Sequence, residues 1–357
     1  MALGSSAGAR YRDRNRCAAR VAPIAAVFRQ ECVMSPFRAL RRLLAAAAMA
    51  LPCSVPAAGT AVPGPVKILV GFPAGGTIDL VARLVAEQMQ EDLAVPVVVE
   101  TLAGAGGQLA AQALKRAAPD GRTLMIAPDH TAVIVPLTVA RPGFDSRTDF
   151  APVGMVADYA GALAVSQASA VKDLPDLMRY VQAHPGSGGV GVSAPGSKPQ
   201  FQLDALAKAR NLPLAAVPYR GSVPMVQDLA GGHIVAGITA LGDFLEFHRA
   251  GKLRVVAVTG ERRSSLLPEV PTAAESGYPL RLDFWVGMFA PAGTPPPVVE
   301  RFNASLNKAL AAAKVRERMA AVVFDPRPGP PSALQRRIAS ELDQWAPVIA
   351  ASGWVRQ

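Results

Sequence analysis

The loop at residues 71–79, GFPAGGTID, is the segment whose residue types first suggest a chemical role. It follows the apolar run VKILV and leads into an amphipathic stretch, so a strand is expected to pass into a helix here. Backbone N–H groups at a helix N-terminus carry partial positive charge and bind anions. Glycines let an anion approach the backbone closely. We therefore predict that main-chain amides of this loop bind a carboxylate. The residues concerned are Phe72, Pro73, Ala74, Gly75, Gly76 and Thr77.

Two further glycine loops repeat this arrangement. LAGAGG at residues 102–107 follows the next expected strand, and SAPGSKPQF at residues 193–201 follows the strand GVGVS. One such turn alone is as often a tight connection as a binding site, but three in one chain favour an anion pocket. The candidate residues in the third loop are Ser193, Gly196, Ser197 and Lys198.

Three side chains near these loops are further candidates. His130 follows the strand TLMIA, and Tyr219 and Arg220 lie in the turn VPYRGS. The guanidinium group of an arginine matches a carboxylate, although an ordinary loop or surface role is open for each of the three. Asp79, in the first turn of the expected helix, is interpreted as a residue that complements the helix dipole.

Common nucleotide-binding and catalytic motifs do not fit these loops. The first loop lacks the lysine of a P-loop, and Leu109 stands where a dinucleotide fingerprint needs a small residue. Pro195 replaces the glycine that a nucleophile elbow requires. The four histidines form no HExxH motif, and the three cysteines lie at positions 17, 32 and 53. The sequence therefore predicts neither a metal nor a cofactor.

Short β-branched runs alternate with amphipathic stretches from Val66 onward, which predicts an α/β fold with parallel sheets flanked by helices. Ligands of such sheets bind at the carboxyl ends of the strands, where the glycine loops fall. Strands are expected at 66–70, 96–100, 123–127, 162–166, 189–193, 233–239 and 254–259, and helices at 79–90, 108–117, 173–183, 199–210, 223–230 and 243–250, with two more beginning near 294 and 332.

The basic charge of the chain is concentrated at its beginning. Residues 1–57 hold nine arginines against Asp13 and Glu31, a net +7, so the other 300 residues carry only +3 of the chain's +10. MSPFRALRR, LLAAAAMAL and SVPAAG at residues 34–59 have the order of a secretory signal peptide. We predict translation from Met34, cleavage after Ala57 and a periplasmic mature protein. Its charge makes a nucleic-acid partner improbable.

Several motifs in order resemble one family. FPAGGTIDLVAR, AGAGG, PDGRTLMIA, VPYRGSVPMVQDLAGGHI and FWVGMFAPAGTPPPVVERFN are similar to segments of the Bug-type substrate-binding receptors of tripartite tricarboxylate transporters. The resemblance implies a two-lobed Venus-flytrap periplasmic binding protein fold of type II-like architecture. Residues 58–160 with 286–357 would form the first lobe and 161–285 the second, with crossings near Ala162 and Trp285.

The resemblance also implies which loops hold the ligand. Phe72–Thr77 and Ser193–Lys198 would grip one carboxylate from opposite lobes. Lys198 and Pro199 replace a His-Leu pair common in the family and are expected near the mouth, while Thr239 and Ala240 replace an Asp-Asn pair that can meet an ammonium group. The absence of that acidic pair argues against an amino acid, and Lys198 together with Arg220 favours a ligand with extra negative charge.

The expected function is therefore a monomeric, non-enzymatic receptor that captures a mono-, di- or tricarboxylate. Its partners would be the membrane subunits of a tripartite transporter or a sensor kinase. The main alternative is a secreted serine hydrolase of α/β type that uses Ser193 or Ser197 with His130, although no motif fixes a nucleophile, base and orienting residue together.

Overall fold

The computed structural model describes Val62 and residues 64–356. The predicted leader (residues 1–57), with its start at Met34, lies outside the described residues. Within residues 64–356, no helix has both the length and the hydrophobicity to cross a membrane.

The secondary structure alternates strands and helices over most of its length. The strands are β1 (Val66–Val70), β2 (Val97–Thr101), β3 (Thr123–Pro128), β4 (Phe150–Ser166), β5 (Gly189–Val192), β6 (Ala215–Pro218), β7 (Ala236–Ala240), β8 (Leu253–Val258), β9 (Asp283–Pro291) and β10 (Phe324–Pro326). The helices are α1 (Thr77–Leu93), α2 (Gln108–Arg116), α3 (Val135–Thr138), α4 (Leu174–Ala183), α5 (Lys198–Arg210), α6 (Ser222–Ala230), α7 (Leu241–Arg249), α8 (Pro296–Ala311), α9 (Ala313–Ala321) and α10 (Pro331–Ala351).

The first unit of the fold shows how the sequence pattern positions the glycine loop. β1 pairs in parallel with β2 and β3, and four of its five residues are buried. The helix α1 covers this sheet with Val81, Val85 and Met89, all fully buried at helical spacing. The loop at residues 71–76 is therefore held at the carboxyl end of β1 by packing on both of its sides.

Strand β4 is shared by two sheets. The strand order is β2-β1-β3-β9-β4-β7-β5-β6, with β10 and β8 also beside β4. Residues 150–160 of β4 pair with β9 in what we call the first sheet, which contains β1, β2, β3, β9 and β10. Residues 161–166 pair with β7 and β8 in the second sheet, which contains β5 to β8.

The chain returns to the first sheet beside the point where β4 changes sheets. Thr259 N–H donates to the Gly161 carbonyl at 2.9 Å, and Leu282 N–H donates to the Thr259 carbonyl at 3.1 Å. A Cβ atom at Gly161 would lie 2.7 Å from both Phe284 and Thr259 Oγ1, so the crossing requires glycine there. This geometry supports the predicted lobes, residues 58–160 with 286–357 and residues 161–285, which stay a prediction.

Strand directions differ partly from expectation. Pairs β1–β2, β1–β3, β5–β6 and β5–β7 are parallel, as predicted. The pairs that β4 and β9 form are antiparallel, so both sheets contain parallel and antiparallel strands. Separate apolar clusters pack against the two sheets.

Candidate ligand-binding site

A cavity lies between the loops of the two sheets, at the carboxyl ends of β1, β3, β5 and β7. Its volume is about 70 Å³, which is room for roughly five to seven waters at about 10–15 Å³ each. The lining residues that bear on function are Phe72, Pro73, Gly76 and Thr77 after β1, Asp129 and His130 after β3, Ser193, Ser197 and Lys198 after β5, Thr239 and Asp243 at β7 and α7, and Tyr159 and Phe284 at the crossing.

The N-terminus of α1 is already in contact with carboxylates of the protein. Gly75 N–H donates to Asp79 Oδ2 at 3.0 Å, and Asp79 also accepts from Arg83 Nε at 2.9 Å. Thr77 N–H donates to Asp243 Oδ1 at 3.1 Å. Asp79 therefore does complement the helix terminus. Gly76 N–H donates to the Pro73 carbonyl at 3.4 Å, so three of the amides that were expected to hold an external carboxylate are engaged within the chain.

Gly71 and Gly107 allow the first two loops to pack closely against their neighbours. A Cβ atom at Gly71 would lie 2.5 Å from Gly107 Cα, and one at Gly107 would lie 2.3 Å from Thr131 Oγ1. Thr131 Oγ1 also donates to the Gly106 carbonyl at 2.8 Å. The loop at residues 102–107 thus packs behind the first loop, and it contributes nothing to the lining of the cavity.

The N-terminus of α5 presents an unused polar group to the cavity. Ser197 is the N-cap residue and makes no capping hydrogen bond with its side chain. It is 4% exposed, and its buried Oγ has no hydrogen-bond partner among the described residues. Gly196 does not line the cavity: a Cβ atom there would lie 3.0 Å from Trp354 and 3.2 Å from Thr138, and its N–H donates to Gln200 Oε1 at 2.8 Å.

Lys198 does not lie at the mouth of the site, as the sequence suggested, but is buried with 3% of its surface exposed. Its Nζ lies 2.7 Å from Glu341 Oε2 and also pairs with Asp129 Oδ2. Arg337 Nε binds the other Glu341 oxygen at 2.7 Å. Burial alone would lower the pKa of Lys198, but the two carboxylates raise it above its ordinary value. Lys198 therefore remains charged and already has its counterions.

Asp129 and His130 have shifted pKa values for related reasons. Burial raises the pKa of Asp129 to about 6, although the charge of Lys198 opposes the rise. Burial, followed by the charge of Lys198, lowers the pKa of His130 to about 4. His130 Nδ1 is buried without a hydrogen-bond partner among the described residues. At neutral pH the cavity wall thus presents a neutral imidazole.

Tyr219 and Arg220 line a second cleft outside the cavity, which shares only Phe72, Pro73 and Ser193 with it. The Tyr219 hydroxyl donates to Asp228 Oδ2 at 2.8 Å. Burial, followed by this bond, raises the pKa of Tyr219 to about 12. Arg220 is exposed. Five predicted site residues therefore do not line the cavity: Ala74, Gly75, Gly196, Tyr219 and Arg220.

Two carboxylates that line the cavity were missed by the sequence reasoning. Asp129 directly precedes His130, so the strand-end position that selected His130 would have selected it as well. Asp243 lies in the first turn of α7, just after β7. The expectation that Thr239 and Ala240 leave this side of the site without an acid is wrong, because Asp243 Oδ2 accepts from Thr239 Oγ1 at 3.0 Å.

The pairing of Ser197 with His130 that one form of the hydrolase alternative requires is not formed. Ser197 Oγ and His130 Nδ1 each lack a hydrogen-bond partner within residues 64–356, so they form no nucleophile–base pair. No group of three or more His, Cys, Asp or Glu side chains suited to a metal ion occurs in the same described range.

Comparison with known proteins gives consistent matches. Residues 81–354 match the model of the family described as tripartite tricarboxylate transporter family receptor. The chain is 34% identical to the protein BugT of Bordetella pertussis over 313 residues, which cover 87% of this chain and 95% of BugT.

Solved structures resemble the whole fold. The periplasmic binding protein BugD is 31% identical with a TM-score of 0.77, over 82% of this chain and 99% of that one. MatC of Rhodopseudomonas palustris with bound malate is 30% identical with a TM-score of 0.75, over 80% and 98% of the two chains. An R. palustris protein with adipate is 30% identical with a TM-score of 0.78, over 82% and 98%.

Proposed function

The chain belongs to the tripartite tricarboxylate transporter receptor family, and from this premise we propose that it binds a small organic acid with the carboxylate at the N-terminus of α5. The chain is a solute-binding receptor and not an enzyme, and its fold is that of two-domain periplasmic binding proteins. The resemblance inferred from its motifs is thereby confirmed. The identity of the acid and of the partners is the subject of the proposal.

The observation that carries the proposal is the free hydroxyl of Ser197. A buried hydroxyl without a partner is costly, and most buried polar groups in proteins are hydrogen-bonded. Ser197 lies at the positive end of a helix of 13 residues and lines the cavity. A ligand carboxylate there would accept from the hydroxyl and would be stabilised by the helix dipole.

The other walls suit the remainder of a small acid. Phe72 and Phe284 supply apolar surface for a carbon skeleton. His130, neutral because its pKa is lowered to about 4, offers a ring nitrogen that can donate or accept without adding charge. Thr239, near the end of β7, adds a hydroxyl beside Asp243.

Ligand capture in this architecture would act by closing the two halves of the protein. Residues from both sheets line the cavity. Within residues 64–356, the chain crosses between the sheets in β4 and again between Thr259 and Leu282. A ligand shifts such an equilibrium only by binding the closed form more tightly than the open one. The closed surface would then be recognised in the periplasm by membrane subunits of a transporter or by a sensor kinase, with the receptor acting as a monomer.

The expected preference for extra negative charge has lost its basis. Lys198 is neutralised by Asp129 and Glu341, and Arg220 lies outside the cavity. The malate and adipate of the two neighbours belong to those proteins. The proposal therefore requires only that the ligand carries one carboxylate.

The test is the substitution Ser197→Ala, with Ser146→Ala as a matched control. Ser146 Oγ is also buried without a partner among the described residues, but Ser146 does not line the cavity. Loss of one hydrogen bond to a charged group weakens binding by roughly 10- to 100-fold. Calorimetry with the acid that copurifies, identified by native mass spectrometry, should show this loss in Ser197→Ala only. Equal affinity in both variants would contradict the placement of the carboxylate.

A further inference from the structure

Asp243 lies in α7, which packs on the second sheet, and its carboxylate contacts the N-terminus of α1, which packs on the first sheet. Its Oδ1 accepts from Thr77 N–H at 3.1 Å and also from Thr77 Oγ1. Its Oδ2 accepts from Thr239 Oγ1 at 3.0 Å. The carboxylate therefore accepts hydrogen bonds through both oxygens and lies in the cavity wall.

This contact has the form of an occupied anion site. The donors are the first-turn amide and hydroxyl of a helix of 17 residues, the arrangement that binds external carboxylates and phosphates. Here the bound carboxylate is a side chain of the protein. Because it is tethered to α7, it is present at a high effective concentration at these donors.

The cavity has no spare cation to balance a second ligand carboxylate at this end. Among the described residues that line it, the acidic and basic side chains besides His130 are Asp129, Asp243 and Lys198, and Lys198 is already paired with Asp129 and with Glu341. His130 is neutral, because its pKa is lowered to about 4. A carboxylate placed near Thr77 would meet Asp243 at close range in a partly buried site, where like charges repel strongly.

We propose that Asp243 is a specificity-determining residue that occupies the α1 half of the anion site and so restricts the ligand to acids with a single carboxylate. This inference rests on the proposed function, because it takes the ligand carboxylate to bind at the N-terminus of α5. The end of the ligand that faces Thr77, Thr239 and Asp243 is then an uncharged group or a hydrogen-bond donor. A dicarboxylate is rejected by charge and not by size.

The proposal is tested with pairs of acids that differ in charge but hardly in shape. Each pair is a linear dicarboxylate of three to six carbons and its monoamide, and affinities are measured by calorimetry at pH 7.5. For the pair that fits best, wild-type protein should bind the monoamide at least tenfold more tightly. Asp243→Asn keeps the shape and the acceptor for Thr77 N–H but removes the charge, so it should reduce this preference at least tenfold.

Glu246→Gln is the matched control, because Glu246 lies exposed on the same helix, forms its one ion pair within residues 64–356 with Arg249 and does not line the cavity. It should leave the preference unchanged. Tighter binding of the dicarboxylate by wild-type protein would overturn the inference and leave the carboxylate receptor intact. Binding of neither member of any pair, nor of the corresponding monocarboxylates, would instead remove the proposed function itself. Should Asp243→Asn fail to fold, the wild-type preference alone still decides.

Discussion

Lys198 Nζ lies 2.7 Å from Glu341 Oε2, although the two residues are 143 positions apart in the chain. Lys198 begins α5, whose Leu203 and Leu206 pack in the apolar cluster of the second sheet. Glu341 lies in α10, whose Leu334 and Ile338 pack against the first sheet. With Asp129, the pair forms a buried ionic contact between the two halves of the protein.

Lys198→Met should destabilise the protein by about 3 kcal/mol or more, because it leaves Asp129 and Glu341 buried without their shared cation. Chemical denaturation at pH 7.5 measures the change in the free energy of unfolding. The matched control is Lys314→Met, since Lys314 pairs with Glu87 at 2.6 Å in an exposed position. The control should unfold like wild type. Equal stability of the two variants would show that the buried cluster contributes nothing net.

The pH dependence of stability should reveal two opposing contributions. Between pH 4 and 6 the folded state holds a proton on Asp129 that the unfolded state releases, because its pKa rises from 3.8 to about 6 on folding. That contribution to stability falls as pH rises. His130, with its pKa lowered from 6.5 to about 4, behaves in the opposite way, and its contribution rises with pH up to about 6.5.

Single substitutions separate these contributions. In Asp129→Asn, the free energy of unfolding should increase more steeply between pH 4 and 6 than in wild type. In His130→Gln it should increase less steeply or decrease over the same range. Denaturant titrations at half-unit pH steps provide the curves. Parallel curves for wild type and both variants would mean that neither group changes its pKa on folding.

Gly75 and Gly76 should respond differently to substitution, although both were predicted to bind the ligand in the same way. Gly75 has φ of +83°, so Gly75→Ala should cost about 1–2 kcal/mol of stability from backbone strain. Gly76 has φ of −73°, and its added Cβ would meet Ser222 Oγ at an ordinary 3.6 Å. Gly76→Ala should therefore fold normally, but it adds a methyl group to the cavity wall and should reduce the ligand-induced rise in melting temperature.

Thermal unfolding with and without the ligand distinguishes the two variants. Gly75→Ala should lower the melting temperature of the free protein and keep most of the ligand-induced rise. The reverse pattern, a stable Gly75→Ala and an unstable Gly76→Ala, would show that the conformation of this loop in solution differs from the one described.

Strand β4 illustrates where sequence reasoning fell short on the fold. Only residues 162–166 were expected to be extended, but the strand covers 17 residues. Pro152, Gly154 and Gly161 lie within it and normally argue against a long strand. They are tolerated because β4 changes its register and its partners along its length, which no local pattern encodes.

The parts of the candidate site that lie at strand ends could be predicted from the sequence. The parts that depend on contacts between residues far apart in the chain could not. The loops at Thr77 and Ser197 follow from the alternation of strands and helices, and both line the cavity. One feature of the sequence could have indicated that Lys198 is paired. A cation in the first turn of a helix is opposed by the helix dipole, so it needs a compensating partner. Its partners Asp129 and Glu341 follow no spacing rule, so only the fold identifies them.

The shared strand also has a consequence for the order in which the chain can assemble. The strands of the second sheet are consecutive, from residue 161 of β4 to the end of β8 at Val258. The first sheet is interrupted, because β9, which joins β3 to β4, comes only at residues 283–291. Because the chain is synthesised from its N-terminus, the strands of the second sheet are complete before β9, a central member of the first sheet, has been made. The first sheet can be completed only after β9 and then β10, at residues 324–326, have been made, so it finishes after the second sheet.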